Sequence, residues 1–193
     1  MDAICIKDLK KDLKREMDDS RYEHTLGVMY TSAALAMRYE YDMERAMLAG
    51  LMHDCAKCIP NAKKLKLAEK NGLEITELER NNPFMLHAKV GAMLAKVKYD
   101  IDDKEVLGAI RWHTTGKPNM NLLEKIVYVA DYIEPRRDKA PNLKEIRKLA
   151  FMDLDLALLK ILEDTLGYLG DSPEEVDSMT RETYEYYKAQ IKG

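Results

Sequence analysis

The sequence predicts an all-α protein of about eight helices, and three observations support this. The 193 residues include only 9 Gly and 6 Pro, while Ala, Leu, Lys, Glu and Met, which favour helix, are abundant. Every proline falls between periodic segments rather than inside one, as expected where prolines interrupt helices. No segment shows convincing alternation of apolar and polar residues with a period of two, the pattern of a half-buried strand.

Three segments in the first half of the chain have the periodicity of a helix. Residues 43–57 are apolar nearly all round at their centre, which predicts a buried central helix. Residues 21–39 and 83–99 each carry a histidine in line with apolar residues three or four positions apart. In these two segments, one helical face therefore holds both the histidine and the apolar residues.

The second half of the chain contains three more predicted helices. Residues 121–134 repeat apolar residues at helical spacing and stop at Pro135. A late amphipathic stripe consists of Leu154, Leu158, Leu162 and Leu166. The last helix is predicted to open at residues 172–175, Ser-Pro-Glu-Glu, which combine an N-cap, a first-turn proline and a capping-box glutamate.

Composition and charge indicate a soluble globular protein, which we expect to form a single domain over residues 1–193. Hydrophobic residues make up 46% and charged residues 34% of the chain, which is typical of folded proteins. The net charge of −3, without a long basic block, argues against a nucleic-acid partner. The charged N-terminus lacks a signal core, and the longest strongly apolar run, residues 46–52, is too short to span a bilayer. We therefore expect a cytoplasmic protein without a membrane partner.

The four histidines of the chain all fall within or at the end of apolar helical segments: His24, His53, His87 and His113. A single histidine in such a position is usually a structural core residue. Four out of four are harder to explain in that way. The pattern favours a shared site.

Two aspartates, Asp54 and Asp131, lie in similarly apolar surroundings. A buried carboxylate is costly unless a cation or hydrogen bonds compensate it, and a metal ion supplies that compensation. Imidazoles and carboxylates without a thiolate suit iron or manganese, with zinc and magnesium as alternatives. Cys55 and Cys58 form a lone C-x-x-C pair, which we interpret as packing residues at a helix end.

The candidate metal ligands are therefore His24, the adjacent pair His53–Asp54, and Asp131. Adjacent residues on a helix diverge by about 100°, so one ion could meet both members of the pair only if it lies close beside their helix. Helices carrying His24 and Asp131 would supply the remaining ligands. Such a set leaves coordination positions open for water and substrate, as in catalytic sites.

Several cationic and polar residues near these ligands are candidates for phosphate binding. Lys57 lies one turn beyond Asp54, and its alternative role is a solvated surface lysine. Arg21, one turn before His24, would contact phosphate or only form a salt bridge. Arg137 follows the Asp131 helix and suits bidentate phosphate contact. Thr114 belongs to an H-T-T-G turn whose hydroxyls and N–H groups can bind oxyanions.

Three hypotheses exist for the role of His87 and His113: contact with phosphate, proton donation to the leaving group, or ligation of a second metal. We favour phosphate contact. The predicted catalytic residues are Asp54, Lys57, His87 and His113.

Five motifs in order along the chain resemble one family: "RYEHTLGV" from Arg21, "GLMHDCAK" from Gly50, "LHAKVGA" from Leu86, "IRWHTTG" from Ile110 and "KIVYVADYIEPRRD" from Lys125. H…HD…D is the signature of the all-helical HD-domain metal-dependent phosphohydrolases, and the flanking residues look like their YqeK family. The resemblance implies symmetrical hydrolysis of diadenosine tetraphosphate, a dinucleoside polyphosphate, into two ADP, with iron as the metal. It also implies that Lys57, His87, His113, Thr114 and Arg137 meet the phosphates. Tyr184-Glu185 departs from the Tyr-Asn pair that the family prefers.

Other functions are compatible with the same residues. One is a different HD nucleotide phosphohydrolase, such as a nucleotidase, a triphosphohydrolase or an alarmone hydrolase. Another is a non-catalytic nucleotide-binding sensor, and a third is a helical interaction protein with structural histidines. Family analogy alone suggests a homodimer.

Overall fold

The computed structural model describes residues 5–170 and 176–192, and this part of the chain consists of helices and connections without any strand. The all-α prediction is thus confirmed. The α-helices within these ranges are α1 Ile6–Glu16, α2 Asp19–Arg38, α3 Met43–Met52, α4 Asn61–Lys70, α5 Glu77–Asn81, α6 His87–Tyr99, α7 Lys104–Trp112, α8 Leu122–Ile133, α9 Leu143–Leu149, α10 Leu154–Leu169 and α11 Ser178–Lys192. A 3₁₀ turn, Pro83–Leu86, precedes α6.

The described part of the chain has eleven α-helices instead of the predicted eight or so. Two of them, α5 with five residues and α9 with seven, are too short to show a helical period in the sequence. The late leucine stripe lies on α10, as predicted. The predicted opening of the last helix at residues 172–175 lies outside the described residues.

Helix α3 is shorter than predicted because it ends at Met52 rather than Lys57. Beyond this point the chain continues in four-residue turns, in which Cys55 N donates to Met52 O at 3.1 Å and Lys57 N donates to Asp54 O at 2.8 Å. At the same helix end, His53 Nδ1 lies 2.7 Å from Gly50 O. The expectation that Lys57 lies one helical turn beyond Asp54 is therefore wrong.

Helices α2, α3 and α8 form the centre of the molecule. Side chains from all three are completely buried, among them Val28 and Leu35 of α2, Leu51 of α3 and Ile126 of α8. Helices α2 and α3 approach closely at Gly50, where an added Cβ would lie 3.0 Å from Met29 Cα and 2.8 Å from Ser32 Oγ. α2 and α8 carry His24 and Asp131, and His53 directly follows α3, so the packing of the core fixes the relative positions of the site residues.

Helix α11 packs against the connection between α7 and α8. Met120 N donates to the Tyr187 hydroxyl at 3.0 Å, and Tyr187 is buried. At Gly116, an added Cβ would lie 2.7 Å from Thr183 Cγ2. Tyr184 is partly buried against the core. The C-terminal helix thus covers the loop that follows His113.

The two cysteines of the C-x-x-C pair have different surroundings. Cys55 is buried, in agreement with a packing role, whereas Cys58 is exposed and its thiol donates to Asp18 Oδ2 at 3.6 Å. Both thiols are free. Separately, none of the described helices has the length and apolar content that a membrane crossing requires.

Candidate metal centre

The fold brings all four histidines into one buried cluster. The ring centroids of His24 and His53 are 5.4 Å apart, those of His53 and His113 are 4.9 Å apart, and those of His87 and His113 are 5.1 Å apart. None of the four residues is more than 8% exposed. Three helix ends and the middle of α2 therefore supply one site.

Three of the histidines stand at helix boundaries and use the same local contact. His53 Nδ1 lies 2.7 Å from Gly50 O, His87 Nδ1 lies 2.9 Å from Phe84 O, and His113 Nδ1 lies 2.7 Å from Ile110 O. A carbonyl oxygen can only accept, so Nδ1 is the nitrogen that carries the proton. Carbonyls near a helix C-terminus lack helical partners and are free for this contact. In each neutral ring, Nε2 is left with a lone pair that faces the cluster.

His24 lies in the interior of α2, and carboxylates take the place of the backbone carbonyl there. Its Nδ1 lies 3.0 Å from Glu134 Oε1, and its Nε2 lies 3.0 Å from Asp131 Oδ1. Glu134 is only 1% exposed. Asp131 and Glu134 are three residues apart at the end of α8, so one helical turn supplies both contacts.

The potential ligand atoms form two groups that share His53. One group consists of His24, His53 and Asp131, and the other of His53, Asp54 and His113; within each, the ligand atoms all lie within 4.8 Å of one another. The structure thus brings the four predicted ligands together, and it groups Asp54 with His113 as well as with His53.

The chemistry of these groups fits a divalent cation. His53 Nε2 and Asp54 Oδ1 are buried polar atoms without a hydrogen-bond partner, and His24 Nε2 has only the Asp131 carboxylate, at 3.0 Å, as its polar neighbour. An unsatisfied buried polar atom costs about 1–3 kcal/mol. A metal ion in either ligand group would satisfy such atoms, because imidazole nitrogens and carboxylate oxygens offer lone pairs.

The protonation states of His53, His87 and Asp131 suit ligation. Burial lowers the pKa of His53 to about 4 and that of His87 to about 3, so both imidazoles are neutral at pH 7. Burial raises the pKa of the Asp131 carboxyl, but the hydrogen bond from His24, together with the charges of its neighbours, holds that pKa well below its usual value. For His24, burial lowers the pKa, and the hydrogen bond and charge of Asp131, followed by Glu134, raise it overall.

Three cationic side chains surround the cluster. Arg21 Nη1 donates to Asp54 Oδ2 at 2.8 Å, so of its two predicted roles this structure contains the salt bridge. Arg137 Nη2 donates to Asp131 Oδ1 at 2.7 Å. Lys57 Nζ lies 3.1 Å from His87 Nε2. Lys57 therefore faces the site, although the turn after α3, and not a helical face, places it there.

A cleft of about 470 Å³ opens beside His24 and Asp131. The residues lining it include three arginines: Arg21, Arg136 and Arg137. Thr114 directly follows His113 in the connection to α8 and is partly buried. The cleft provides access from solvent to the edge of the cluster that carries positive charge.

Sequence reasoning missed Glu134 and Gly27. Gly27 leaves room for the glutamate, because a Cβ there would lie 2.4 Å from Glu134 Oε2. A signal did exist: Glu134 ends an apolar helix three residues after Asp131, directly before Pro135. That spacing put two carboxylates on one turn of the helix.

Comparison with known proteins agrees with this fold and site. The HD domain model matches residues 21–136, so the chain belongs to the HD-domain proteins, which are metal-dependent. Within them it belongs to the YqeK family. It is 39% identical over 174 residues to the symmetrical bis(5'-nucleosyl)-tetraphosphatase of Bacillus subtilis, covering 90% of this chain and 92% of that protein. The Staphylococcus aureus enzyme of the same name is 33% identical, with 94% of each chain covered.

A solved structure is similar over nearly the whole chain. The crystal structure of a predicted HD superfamily hydrolase involved in NAD metabolism from Clostridium acetobutylicum superimposes with a TM-score of 0.92. It is 40% identical, with 96% of this chain and 98% of that chain covered.

Proposed function

We propose that this chain is a metal-dependent hydrolase that cleaves diadenosine tetraphosphate symmetrically into two ADP. The observation that carries the proposal is the convergence of histidine and aspartate ligand atoms in two groups that share His53, with His53 Nε2 and Asp54 Oδ1 buried and without a hydrogen-bond partner. The relatives from Bacillus subtilis and Staphylococcus aureus bear the name of this activity and cover nine-tenths or more of the chain. The substrate class follows from them.

The metal would be held by His24, His53, Asp54 and Asp131, and we propose iron. When bound, the ion would polarise a phosphoryl oxygen and activate the attacking water. Manganese, zinc and magnesium remain alternatives, since the ligand set of nitrogens and carboxylates accepts each of them.

We propose that His87 and His113 are ligands of a second cation, and this alternative now outweighs their predicted phosphate contact. Nδ1 of each ring already donates to a backbone carbonyl, so a neutral ring has no proton on Nε2 for a phosphate oxygen. The two Nε2 atoms lie 3.3 Å apart, and both are close to Asp54 Oδ1, at 3.3 and 3.5 Å. A cation between these lone pairs would remove their mutual repulsion.

Phosphate binding is assigned to Lys57, Arg21 and Arg137. Both arginines at present neutralise the carboxylates of Asp54 and Asp131. A cation held by these carboxylates would supply that neutralisation, and the two guanidinium groups would then be available to the polyphosphate. Lys57 adds a third positive charge beside His87. Because phosphoryl transfer depends on positioning and charge stabilisation, these residues would orient the anhydride bond. Thr114 stays a prediction for the same role.

Predictions about the domain, the compartment and the partners of the protein also belong to this proposal. We propose that residues 1–193 form a single HD-type domain, since one apolar core joins residues from Leu9 of α1 to Tyr187 of α11. The cytoplasm, a homodimer, and the absence of nucleic-acid and membrane partners remain predictions from the sequence.

The proposal is tested by incubating the iron-loaded protein, under anaerobic conditions, with a panel of nucleotides and resolving the products by chromatography. We expect two ADP per diadenosine tetraphosphate and slow turnover of mononucleotides. ATP with AMP as products would contradict symmetrical cleavage. Faster turnover of an alarmone or a mononucleotide would identify a different HD phosphohydrolase. Tight ADP binding without turnover would identify a sensor.

A further inference from the structure

Among the residues that the structure describes, Glu134 is the one acidic side chain that contacts a histidine of the cluster through Nδ1. The other three histidines direct Nδ1 to a backbone carbonyl three residues earlier. His24 cannot do so, because it lies in the middle of α2, where the preceding carbonyls accept helical N–H groups. A side chain from another helix has to replace the carbonyl. Glu134 Oε1 does this at 3.0 Å.

Glu134 is itself held in place. Its Oε2 accepts from Arg136 N at 2.8 Å, and the residue is 1% exposed, so neither oxygen is available to substrate. The space for the carboxylate exists only because residue 27 is glycine: an added Cβ would lie 2.4 Å from Oε2 and 3.1 Å from Cδ. Residue 27 of α2 therefore has no side chain at the point where Glu134 contacts His24.

We propose that Glu134 is a positioning residue, which fixes His24 with its Nε2 lone pair toward the metal and strengthens that nitrogen as a ligand. A histidine ligand whose second nitrogen donates to a carboxylate keeps one tautomer and one ring orientation and is a more basic ligand. Gly27 contributes to this positioning because it leaves room for the Glu134 carboxylate. The inference rests on the metal site of the proposed function.

The chain offers a matched control at the other end of α8. Glu124 is also buried, at 4% exposure, and it also faces a glycine: a Cβ on Gly108 would lie 2.7 Å from Glu124 Oε1. Its partners are Asn121 N and Lys117 Nζ, not a residue of the histidine cluster. Changes at Gly108 and Glu124 therefore disturb a similar glycine–glutamate contact away from the metal ligands.

The test measures Co²⁺ affinity by competition with a chelating dye, together with the visible absorption of bound Co²⁺ and the circular dichroism of each variant. We expect Glu134→Ala to lower affinity about 10- to 100-fold and to change the cobalt spectrum. Glu134→Gln keeps an acceptor oxygen without the charge, so its affinity should fall between those of Glu134→Ala and wild type. Gly27→Ala should also weaken binding, because it displaces the carboxylate. Gly108→Ala and Glu124→Ala should bind within about twofold of wild type.

Two results would overturn the inference while leaving the proposed function intact. One is a Glu134→Ala affinity within twofold of wild type. The other is an equal loss in both glycine–glutamate pairs, since it would show a general effect of disturbing α8. A wild-type protein that bound no Co²⁺ would instead contradict the metal site itself. If Glu134→Ala did not fold, the Co²⁺ affinities of Gly27→Ala and Gly108→Ala would be compared instead, by the same criterion.

Discussion

At the scale of single residues, the site is defined by polar groups that are costly to bury without a cation. Asp131 contacts His24 at 3.0 Å and Arg137 at 2.7 Å, and Asp54 contacts Arg21 at 2.8 Å. In the absence of a metal, these ion pairs compensate the carboxylates. Burial of such a set is thus easier to understand as preparation for a ligand than as a contribution to stability.

Replacing Asp131 should separate metal binding from folding. Asp131→Ala removes a carboxylate from one of the two ligand groups, so we expect the purified variant to lose bound metal and hydrolytic activity. The variant should still fold, with a lower free energy of unfolding of the metal-free protein, because removing one partner of an ion pair leaves Arg137 and His24 without their counter-charge. Metal analysis and chemical denaturation measure the two effects. Full metal occupancy in the variant would contradict the assignment.

Lys57 should affect catalysis and leave metal binding intact. Its ammonium lies 3.1 Å from His87 Nε2 and is placed to stabilise charge that develops on the phosphates. Removal of one such donor typically lowers kcat about 10²- to 10³-fold. We expect that loss for Lys57→Ala, with unchanged metal content. Lys63→Ala, on the exposed side of α4, is the control and should keep wild-type kcat.

At the scale of secondary-structure elements, helix ends place the ligands. His53, His87 and His113 each stand where a helix begins or ends, and a carbonyl three residues earlier fixes each ring. The clustering of these histidines and aspartates could be predicted from the sequence, because such residues in apolar helical segments are unusual. The role of Glu134 could not be read from α8 alone, because it depends on the approach of α2 at Gly27.

The exact end of α3 was equally hidden from the sequence. The apolar run continues past Met52, so periodicity extended the helix to Lys57, whereas the structure turns at His53. The prediction that Lys57 faces the site depended on helical spacing. In the structure, a series of four-residue turns places Lys57 beside the site instead. The pattern thus identified the residue, but only the three-dimensional structure explains its position.

The close contact of α2 with α3 makes a prediction about packing. Gly50→Ala would bring a methyl group 3.0 Å from Met29 Cα and 3.1 Å from Val28 O, and the backbone cannot yield easily. Overpacking of this kind costs about 1–3 kcal/mol, which urea denaturation would measure. Gly167→Ala is the control, since it lies on an exposed part of α10 with no atom within 4 Å. It should stabilise by about 0.5–1 kcal/mol; equal destabilisation of both would contradict this account.

At the scale of the whole molecule, the metal site connects helices from distant parts of the chain. α2 supplies His24, the end of α3 supplies His53 and Asp54, and α8 supplies Asp131. A cation that binds only the folded arrangement stabilises it by mass action, by about 2.7 kcal/mol at a free metal concentration of 100 times Kd.

This linkage predicts that adding metal raises the thermal unfolding temperature and that a chelator reverses the change. Asp131→Ala should show a smaller shift, because one of its two ligand groups is incomplete. The measurement is a thermal melt followed by circular dichroism at several metal concentrations. A metal-dependent shift of the same size in Asp131→Ala would mean that the stabilising ion binds elsewhere.

The most direct test of the metal centre is anomalous X-ray scattering from crystals of the active, ADP-soaked protein, recorded at the iron, manganese and zinc edges. We predict a peak about 2 Å from His24 Nε2, His53 Nε2 and a carboxylate oxygen of Asp131, with Asp54 and its neighbours His87 and His113 around it or around a second peak. Crystals of active protein with no metal peak within about 3 Å of these atoms would contradict the account.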